Sequence, residues 1–349
     1  MSTWGLFADL PVRIEEYTLD PLQATVSSEF ERKSTVIRLR GSGEEGLGED
    51  VTYDAVDHDV LRATGPVLPL AGSFTLASFA ERLAELALFA EPPRREVSQN
   101  YRTWAYESAA LDLALRQART TLHAALARDP QPVRFVVSLR LGEPPSPDPV
   151  RTLLERYPSL RFKLDPTSSW DERLIGDLLS TGAVDSVDFK GHYVGSAVDQ
   201  PADPVLYRRV AEAFADAWIE DPALTGETDA VLAPHRERFS WDAPIHSIAD
   251  IRALPYPPRM VNIKPSRLGG LRSLLDAYDF CAEQGIGNYG GGQFELGVGR
   301  GQIQYLASLF HADAPNDVAP TGFNLPVPPA GLPSSPLPPT PSAAGFRWE

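Results

Sequence analysis

The stretch that decides the fold is residues 260–271, which read MVNIKPSRLGGL. Its first four residues are an apolar run with the length of a buried strand, and the run ends at Lys264. A proline and a pair of glycines follow, and residues 271–284 then have the apolar spacing of a helix. The stretch therefore predicts a strand, a charged residue at the carboxyl end of that strand, and a helix after it.

The same alternation runs through residues 131–324. Short apolar runs predict further strands at residues 133–139, 160–164, 184–189, 217–219 and 239–241. Helical segments lie between most of them, at residues 149–157, 171–180 and 204–214. Strand starts recur about every 20 to 30 residues, which is enough for seven or eight units, and the phosphate-binding loops typical of open nucleotide-binding sheets are missing. We therefore expect an α/β fold in which this part of the chain forms a (β/α) barrel of the TIM type.

Residues 1–130 have a different pattern. Short β-branched or alternating runs at residues 12–17 and 34–39 predict strands, and residues 75–90 and 101–128 predict two amphipathic helices. Strands followed by helices indicate an α+β domain. A chain of 349 residues also exceeds the size at which a single core usually keeps growing, so we expect two domains.

The chain is acidic, with 47 Asp and Glu residues against 32 Lys and Arg residues and a formal net charge of −15. This charge argues against nucleic acid and against an anionic membrane as partners, and an anionic substrate would need local positive charge or a bound metal.

Cys281 is the one cysteine, so no disulfide forms within the chain, which fits a reducing cytosol. Because there is neither a signal-peptide pattern nor an apolar run of about 20 residues, we expect a cytoplasmic protein.

Charged residues end several of the predicted barrel strands. In chain order they are Lys163, Asp188, Glu220, Asp242 and Lys264. One such charge is more often a solvated loop residue, but the strands of a parallel barrel converge on one mouth, and such a series on successive strands is hard to obtain by accident. Three carboxylates brought together repel each other unless a hard divalent cation such as Mg²⁺ binds between them. A partly desolvated lysine near other cations can be neutral enough to act as a base.

The strings around these residues resemble the enolase superfamily. The resemblance is closer to its muconate-lactonising and mandelate-racemase-like branches, with relatives such as o-succinylbenzoate synthase and the acid-sugar dehydratases, than to enolase itself. WIEDP, from residue 218, is similar to the superfamily's Glu-x-Pro signature, and VDF, from residue 187, to the strand before it. SWDAPIHSIADI, from residue 240, is similar to the strand after it. The resemblance implies that Asp188, Glu220 and Asp242 are the ligands of one Mg²⁺ ion.

Two further strings carry the acid and base groups that the resemblance implies. VNIKPSRLGGL, residues 261–271, is the most specific, and its Lys264 would be the general base. GGGQFELGVGRGQIQYLA, residues 290–307, is similar to the region that supplies a glutamate near the substrate, here Glu295. Lys163 would be an electrostatic partner that binds a substrate oxygen.

The resemblance also implies an architecture and a reaction. Residues 1–130 would form a capping domain, with the proline-rich tail of residues 325–349 packed on it, and GLGED at residues 46–50 would lie near the active-site entrance. The enzyme would remove the α-proton of a small carboxylate substrate to give a metal-stabilised enediolate, which then undergoes β-elimination or cycloisomerisation. Such a step needs charge stabilisation more than a strong base. The identity of the acid is left open, and so is assembly into a homo-oligomer.

Three positions depart from the superfamily pattern. The second strand reads KLD, so Asp165 replaces the facing lysine of the usual Lys-x-Lys pair, Lys190 stands where relatives often have asparagine, and alanine rather than glutamate follows Asp242. Since residues two apart on a strand face the same side, Asp165 either pairs with Lys163 or serves as a weak base. Lys190 either contacts the substrate or neutralises the metal-binding carboxylates.

These departures bear on the class of function. A racemase needs a base on each face of its substrate, so the replaced lysine argues against one. The alternative is a non-catalytic or diverged metal-binding barrel, and the retention of both Lys163 and Lys264 weighs against it. A metal-dependent hydrolase barrel would favour His-x-His ligands, and none occurs at a predicted strand end.

Overall fold

The structure is a computed structural model, and it describes residues 2–26, 30–195 and 198–349. The strands of its amino-terminal part are β1 (Pro11–Ile14), β2 (Glu16–Thr25), β3 (Glu31–Gly41), β4 (Glu44–Asp50) and β5 (Gly72–Thr75). Its helices are α1 (Ala55–Thr64), α2 (Leu76–Ala84), α3 (Ser98–Gln117) and α4 (Leu122–Leu126). Strands β2, β3 and β4 form an antiparallel sheet in that order, and β1 pairs with β5. This part is the predicted α+β cap.

Helix α3 packs directly on strand β4, and two glycines make the close approach possible. A β-carbon at Gly46 would lie 2.1 Å from the carbonyl oxygen of Ala109, and one at Gly48 would lie 2.0 Å from that of Ala105. Neither position therefore has room for a side chain. The two glycines of the GLGED string are therefore required for the packing of α3 on β4.

The two helices predicted in the cap are shorter than expected, and both predicted spans were wrong. The helix expected at residues 75–90 is α2, which ends at Ala84. The helix expected at residues 101–128 is divided between α3 and α4, because Arg119 adopts a left-handed backbone conformation with φ of 53°. The Thr121 side chain then accepts a hydrogen bond from the amide of Ala124 and starts the second helix.

The second part alternates strands and helices as predicted. Its strands are β6 (Val136–Leu139), β7 (Arg161–Leu164), β8 (Val184–Asp188), β9 (Trp218–Glu220), β10 (Phe239–Trp241), β11 (Met260–Ile263) and β12 (Gly287–Gly290). Its helices are α5 (Asp148–Arg156), α6 (Glu172–Leu179), α7 (Pro204–Ala213), α8 (Gly226–Leu232), α9 (Ile248–Ala253), α10 (Pro265–Leu268), α11 (Leu271–Gln284) and α12 (Val298–Phe310). The strands form one parallel sheet in chain order.

The sheet curls until both of its edges meet the same short segment. The Val136 amide donates to the carbonyl of Asn316 at 2.8 Å, and the Asp317 amide donates to the carbonyl of Gly290 at 2.8 Å. This two-residue segment therefore takes the place of an eighth strand between β12 and β6. The predicted fold class, a (β/α) barrel with an amino-terminal α+β cap, is confirmed.

The proline-rich tail, residues 325–349, lies against both parts. Leu337 pairs with Val133 before the first barrel strand. Farther along, the Phe346 amide and the Arg347 Nε atom each donate to the carboxylate of Asp112 on α3 at 2.7 Å. In the described ranges of the chain, no helix is both long and apolar enough to cross a membrane.

Candidate active site

Buried carboxylates meet at the carboxyl ends of β8 and β9. Asp188 and Glu220 are paired residues of these neighbouring parallel strands, so their side chains leave the sheet at the same level. Oxygen atoms of Asp188, Glu220 and Asp221 all lie within 4.8 Å of one another, and all three residues are buried. The pairing of parallel strands thus builds an acidic cluster from residues about 30 positions apart in sequence.

Lys163, at the end of β7, supplies positive charge on one side of this cluster. Its Nζ atom lies 2.8 Å from Glu220 Oε1, 3.5 Å from Asp188 Oδ2 and 2.9 Å from Asp317 Oδ2. Burial alone would lower the pKa of Lys163, but these three carboxylates outweigh burial and hold the pKa well above its usual value. Lys163 is therefore a fixed cation.

Asp242 and Lys264 form a second group, on the other side of Glu220 in the strand order. The Nζ atom of Lys264 lies 2.7 Å from Asp242 Oδ2, and Arg267 Nη1 lies 2.8 Å from Asp242 Oδ1. The hydroxyl of Tyr193 donates to the same carboxylate at 3.4 Å. Burial lowers the pKa of Lys264, and the positive charges of Arg267 and Lys163 lower it further. The negative charge of Asp242 acts in the opposite direction and raises this pKa.

Asp165 forms its ion pair with Lys190. The Lys190 Nζ atom contacts Asp188 Oδ2 and lies 3.6 Å from Asp165 Oδ1. Burial and the charge of Asp188 raise the pKa of Asp165 to about 6, against the lowering effect of Lys190. The ammonium group of Lys190 thus contacts a predicted metal ligand, Asp188. This contact corresponds to the second of its two expected roles, which is to neutralise the metal-binding carboxylates.

Glu295 lies in the loop between β12 and α12, buried among polar groups. Its carboxylate accepts a hydrogen bond from the Gln293 amide at 2.6 Å and forms an ion pair with Arg300 at 2.9 Å. A β-carbon at Gly292 would lie 2.5 Å from Glu295 Oε2, and one at Gly291 would lie 2.5 Å from Lys264 Cε. The glycines therefore let the loop backbone contact both predicted catalytic residues.

Sequence reasoning missed several residues of the site. Asp221 accepts hydrogen bonds from the amides of Asp242 and Ala243, each at 2.8 Å, and so orients the turn after β10. Asp221 directly follows Glu220 in the WIEDP string, and this position in the sequence was a signal that it belongs to the site. Arg267 is part of the string that carries Lys264, whereas Asp317 follows no recognisable strand, and nothing near it in sequence points to a site.

The acidic cluster has the chemistry that Mg²⁺ requires. All of its donor atoms are carboxylate oxygens, the hard ligands that this ion prefers. Within the described part of the chain, Glu220 Oε2 is buried without a hydrogen-bond partner, so it is free to bind a cation. Asp188 and Glu220 are common to the observed cluster and to the predicted ligand set. The third predicted ligand, Asp242, is held by Lys264 and Arg267, and its role as a ligand stays a prediction.

The fold is the one found in the enolase superfamily. The predicted resemblance to the enolase superfamily is confirmed. A superfamily member from Listeria innocua Clip11262 has a TM-score of 0.64 with this chain at 20% identity, and the match covers 89% of this chain and 86% of that one.

The particular family follows from two sequence-family models, which match the two parts of the chain. Models described as the amino-terminal and carboxyl-terminal domains of a domain of unknown function, DUF8230, match residues 6–125 and 129–325, and the chain belongs to this family. An N-succinylamino acid racemase from an Amycolatopsis species is 27% identical over 367 residues, covering 93% of this chain and 94% of that protein. An o-succinylbenzoate synthase from Geobacillus kaustophilus is 29% identical over 223 residues, covering 62% of this chain and 58% of that protein.

Proposed function

We propose that this protein is a Mg²⁺-dependent enzyme that removes the α-proton of a small carboxylate substrate. One observation carries the proposal: two buried lysines, Lys163 and Lys264, stand on either side of a buried carboxylate cluster at one end of the barrel. A non-catalytic metal-binding barrel would have no need to bury both ammonium groups there, because burying charge is costly.

In this proposal Asp188 and Glu220 hold the ion, with Asp242 as the predicted third ligand. When bound there, Mg²⁺ supplies positive charge to the substrate carboxylate as negative charge builds on it. Lys163 stays protonated beside Glu220 and binds a substrate oxygen. Lys264 accepts the α-proton at Nζ, and Glu295 lies near the substrate, in the loop that contacts Lys264.

After proton removal, β-elimination or cycloisomerisation needs only one positioned base. Racemisation is a second candidate, and one contact favours it. The Lys190 Nζ atom lies 3.6 Å from Asp165 Oδ1. Asp165 replaces the facing lysine of the superfamily's Lys-x-Lys pair, so another lysine is present beside that position. A proton returned from that side would invert the α-carbon. One of the two relatives in sequence is named a racemase, which fits the second candidate, and the other is named a synthase, which fits the first.

The test is α-proton exchange in deuterated water with Mg²⁺. The probes are N-succinyl amino acids, acid sugars and precursors of o-succinylbenzoate, and deuterium at the α-carbon is followed by proton NMR. Deuterium incorporation with inversion identifies racemisation, and loss of water or ring formation identifies the other reactions. Lys264→Ala is expected to lose exchange, whereas Lys33→Ala, which removes a cap lysine paired with Asp59, should retain it. A protein that exchanges no probe, or a Lys264→Ala variant as fast as the parent, contradicts the proposal.

A further inference from the structure

The loop of residues 291–297, called the glycine loop here, forms one wall beside Lys264. Its backbone is so close that a β-carbon at Gly291 would lie 2.5 Å from Lys264 Cε and within 2.8 Å of the Asn262 amide group. A shift of this backbone toward the barrel is blocked by Lys264 itself, and a shift away from it opens space for the side chain to turn. The position of the glycine loop therefore decides how closely Lys264 is confined.

The glycine loop is held from outside the barrel, by Glu49 at the end of cap strand β4. Its Oε1 atom accepts a hydrogen bond from the Leu296 amide at 2.7 Å. Its Oε2 atom accepts from the amides of Gly297 at 3.0 Å and Gly299 at 2.9 Å. The Ser34 hydroxyl donates to the same carboxylate at 2.6 Å. Amides at the start of a helix, here α12, have no acceptor within the helix, so this carboxylate supplies one.

Arg32, on cap strand β3, holds the other side of the same loop. Its Nη2 atom donates to the carbonyl of Gln293 at 2.9 Å, and its Nε atom donates to the carbonyl of Phe294 at 3.4 Å. It also donates to the carbonyls of Val51 and Thr52, which fixes the guanidinium within the cap. Arg32 and Glu49 are 0% and 1% exposed, so solvent does not compete for these bonds.

We propose that Glu49 and Arg32 are positioning residues for Lys264, which they reach through the glycine loop. Between them they fix the backbone on both sides of Glu295, at residues 293, 294, 296 and 297. The inference rests on the proposed function, because it takes Lys264 as the base. The cap is then part of the catalytic arrangement: the barrel carries the lysine, and two buried charges of the cap set the wall beside it.

Two variants test this with matched controls. Glu49→Gln keeps the volume but replaces one acceptor oxygen by a donor nitrogen, and Arg32→Lys keeps the charge but loses the fork of donors. The controls are Glu45→Gln on the same strand β4 and Arg40→Lys on the same strand β3, both in partly exposed ion pairs. Ser34→Ala, which removes one hydroxyl from the Glu49 carboxylate, is the mild variant if the others fail to fold.

Two readouts separate positioning from general stability. The first is kcat and KM for α-deuterium exchange of N-succinyl amino acids with saturating Mg²⁺, together with Mg²⁺ affinity by calorimetry. The second is amide hydrogen exchange of a peptide covering residues 290–300. For Glu49→Gln and Arg32→Lys we expect kcat to fall by about 10- to 100-fold, with KM and Mg²⁺ affinity within about threefold of the parent, since small misplacements of reacting groups cost rates of this order. Amides of the glycine loop should exchange faster, and those of α3 should not.

The outcomes decide between the two proposals. If the parent exchanges the α-proton and both variants match their controls in kcat, the positioning role is wrong while the proposed function stands. A faster-exchanging loop with unchanged kcat overturns the inference as well, because the loop then does not confine Lys264. If the parent exchanges no probe, the proposed function itself fails.

Discussion

Glu107 links the cap to the barrel, and its environment predicts a specific dependence of stability on pH. It lies on α3, is buried, and accepts a hydrogen bond from the Leu271 amide at 2.6 Å, at the start of barrel helix α11. Its carboxylate also occupies the space beside Gly270, where a β-carbon would lie 3.3 Å from both oxygens. Burial raises the pKa of Glu107 to about 7, although the Leu271 amide lowers it in part.

The sign and size of the effect follow from linkage. The folded pKa of about 7 lies above the usual 4.5 of a glutamate, so the contribution to stability is fully present below pH 4.5 and is lost as the pH rises toward 7. The difference of about 2.5, multiplied by about 1.36 kcal/mol, makes the folded state about 3 kcal/mol less stable at pH 8 than at pH 4.5 through this group alone.

The perturbation is Glu107→Gln, which keeps an acceptor for the Leu271 amide and removes the titration. Urea unfolding of parent and variant at pH 4.5 and pH 8 gives the difference in their free energies of unfolding at each pH. We expect the variant to gain about 3 kcal/mol over the parent between the two pH values. Glu283→Gln, at an exposed position of α11, is the control and should show no such change. An equal difference at both pH values, or a gain at pH 4.5 instead, would refute the reasoning.

Three further predictions concern the site and the cap. Lys264→Ala should reduce the rate of α-proton exchange by about 10² to 10⁴ and leave Mg²⁺ binding intact, because a general base contributes that much to rate, and calorimetry with the NMR assay checks both parts. Glu220→Gln should weaken Mg²⁺ binding by at least about tenfold, since it removes a charged ligand, and an unchanged binding isotherm would contradict the ligand assignment. Arg102→Met should lower the free energy of unfolding by about 3 to 5 kcal/mol, because it leaves the carboxylate of Asp50 buried without its partner at 2.8 Å. A loss below about 1 kcal/mol in urea unfolding would show that water or a neighbour replaces the arginine.

The residue pattern was sufficient wherever the signal is local. An apolar run that ends in a charged residue, such as the run before Lys264, indicates both the strand and the end of the strand at which the charged side chain lies. Strand β12 gave no such signal, because its residues Gly287–Gly290 include two glycines and no β-branched residue. It exists because β11 offers a hydrogen-bonding edge, and four residues pair with it in register.

Contacts between distant residues were decided only by the tertiary structure. The sequence by itself determined the strand–helix alternation of the barrel, the α+β character of residues 1–130 and the five charged strand ends, since each depends on periodicity within about 30 residues. The partner of each charge was not determined: Lys163 meets Asp317, and Glu49 meets the amides around the start of α12, across 154 and about 250 residues. Such pairs form because a closed sheet and its cap bring buried charges together, and a buried charge must find a counter-charge or hydrogen bonds wherever the chain supplies them.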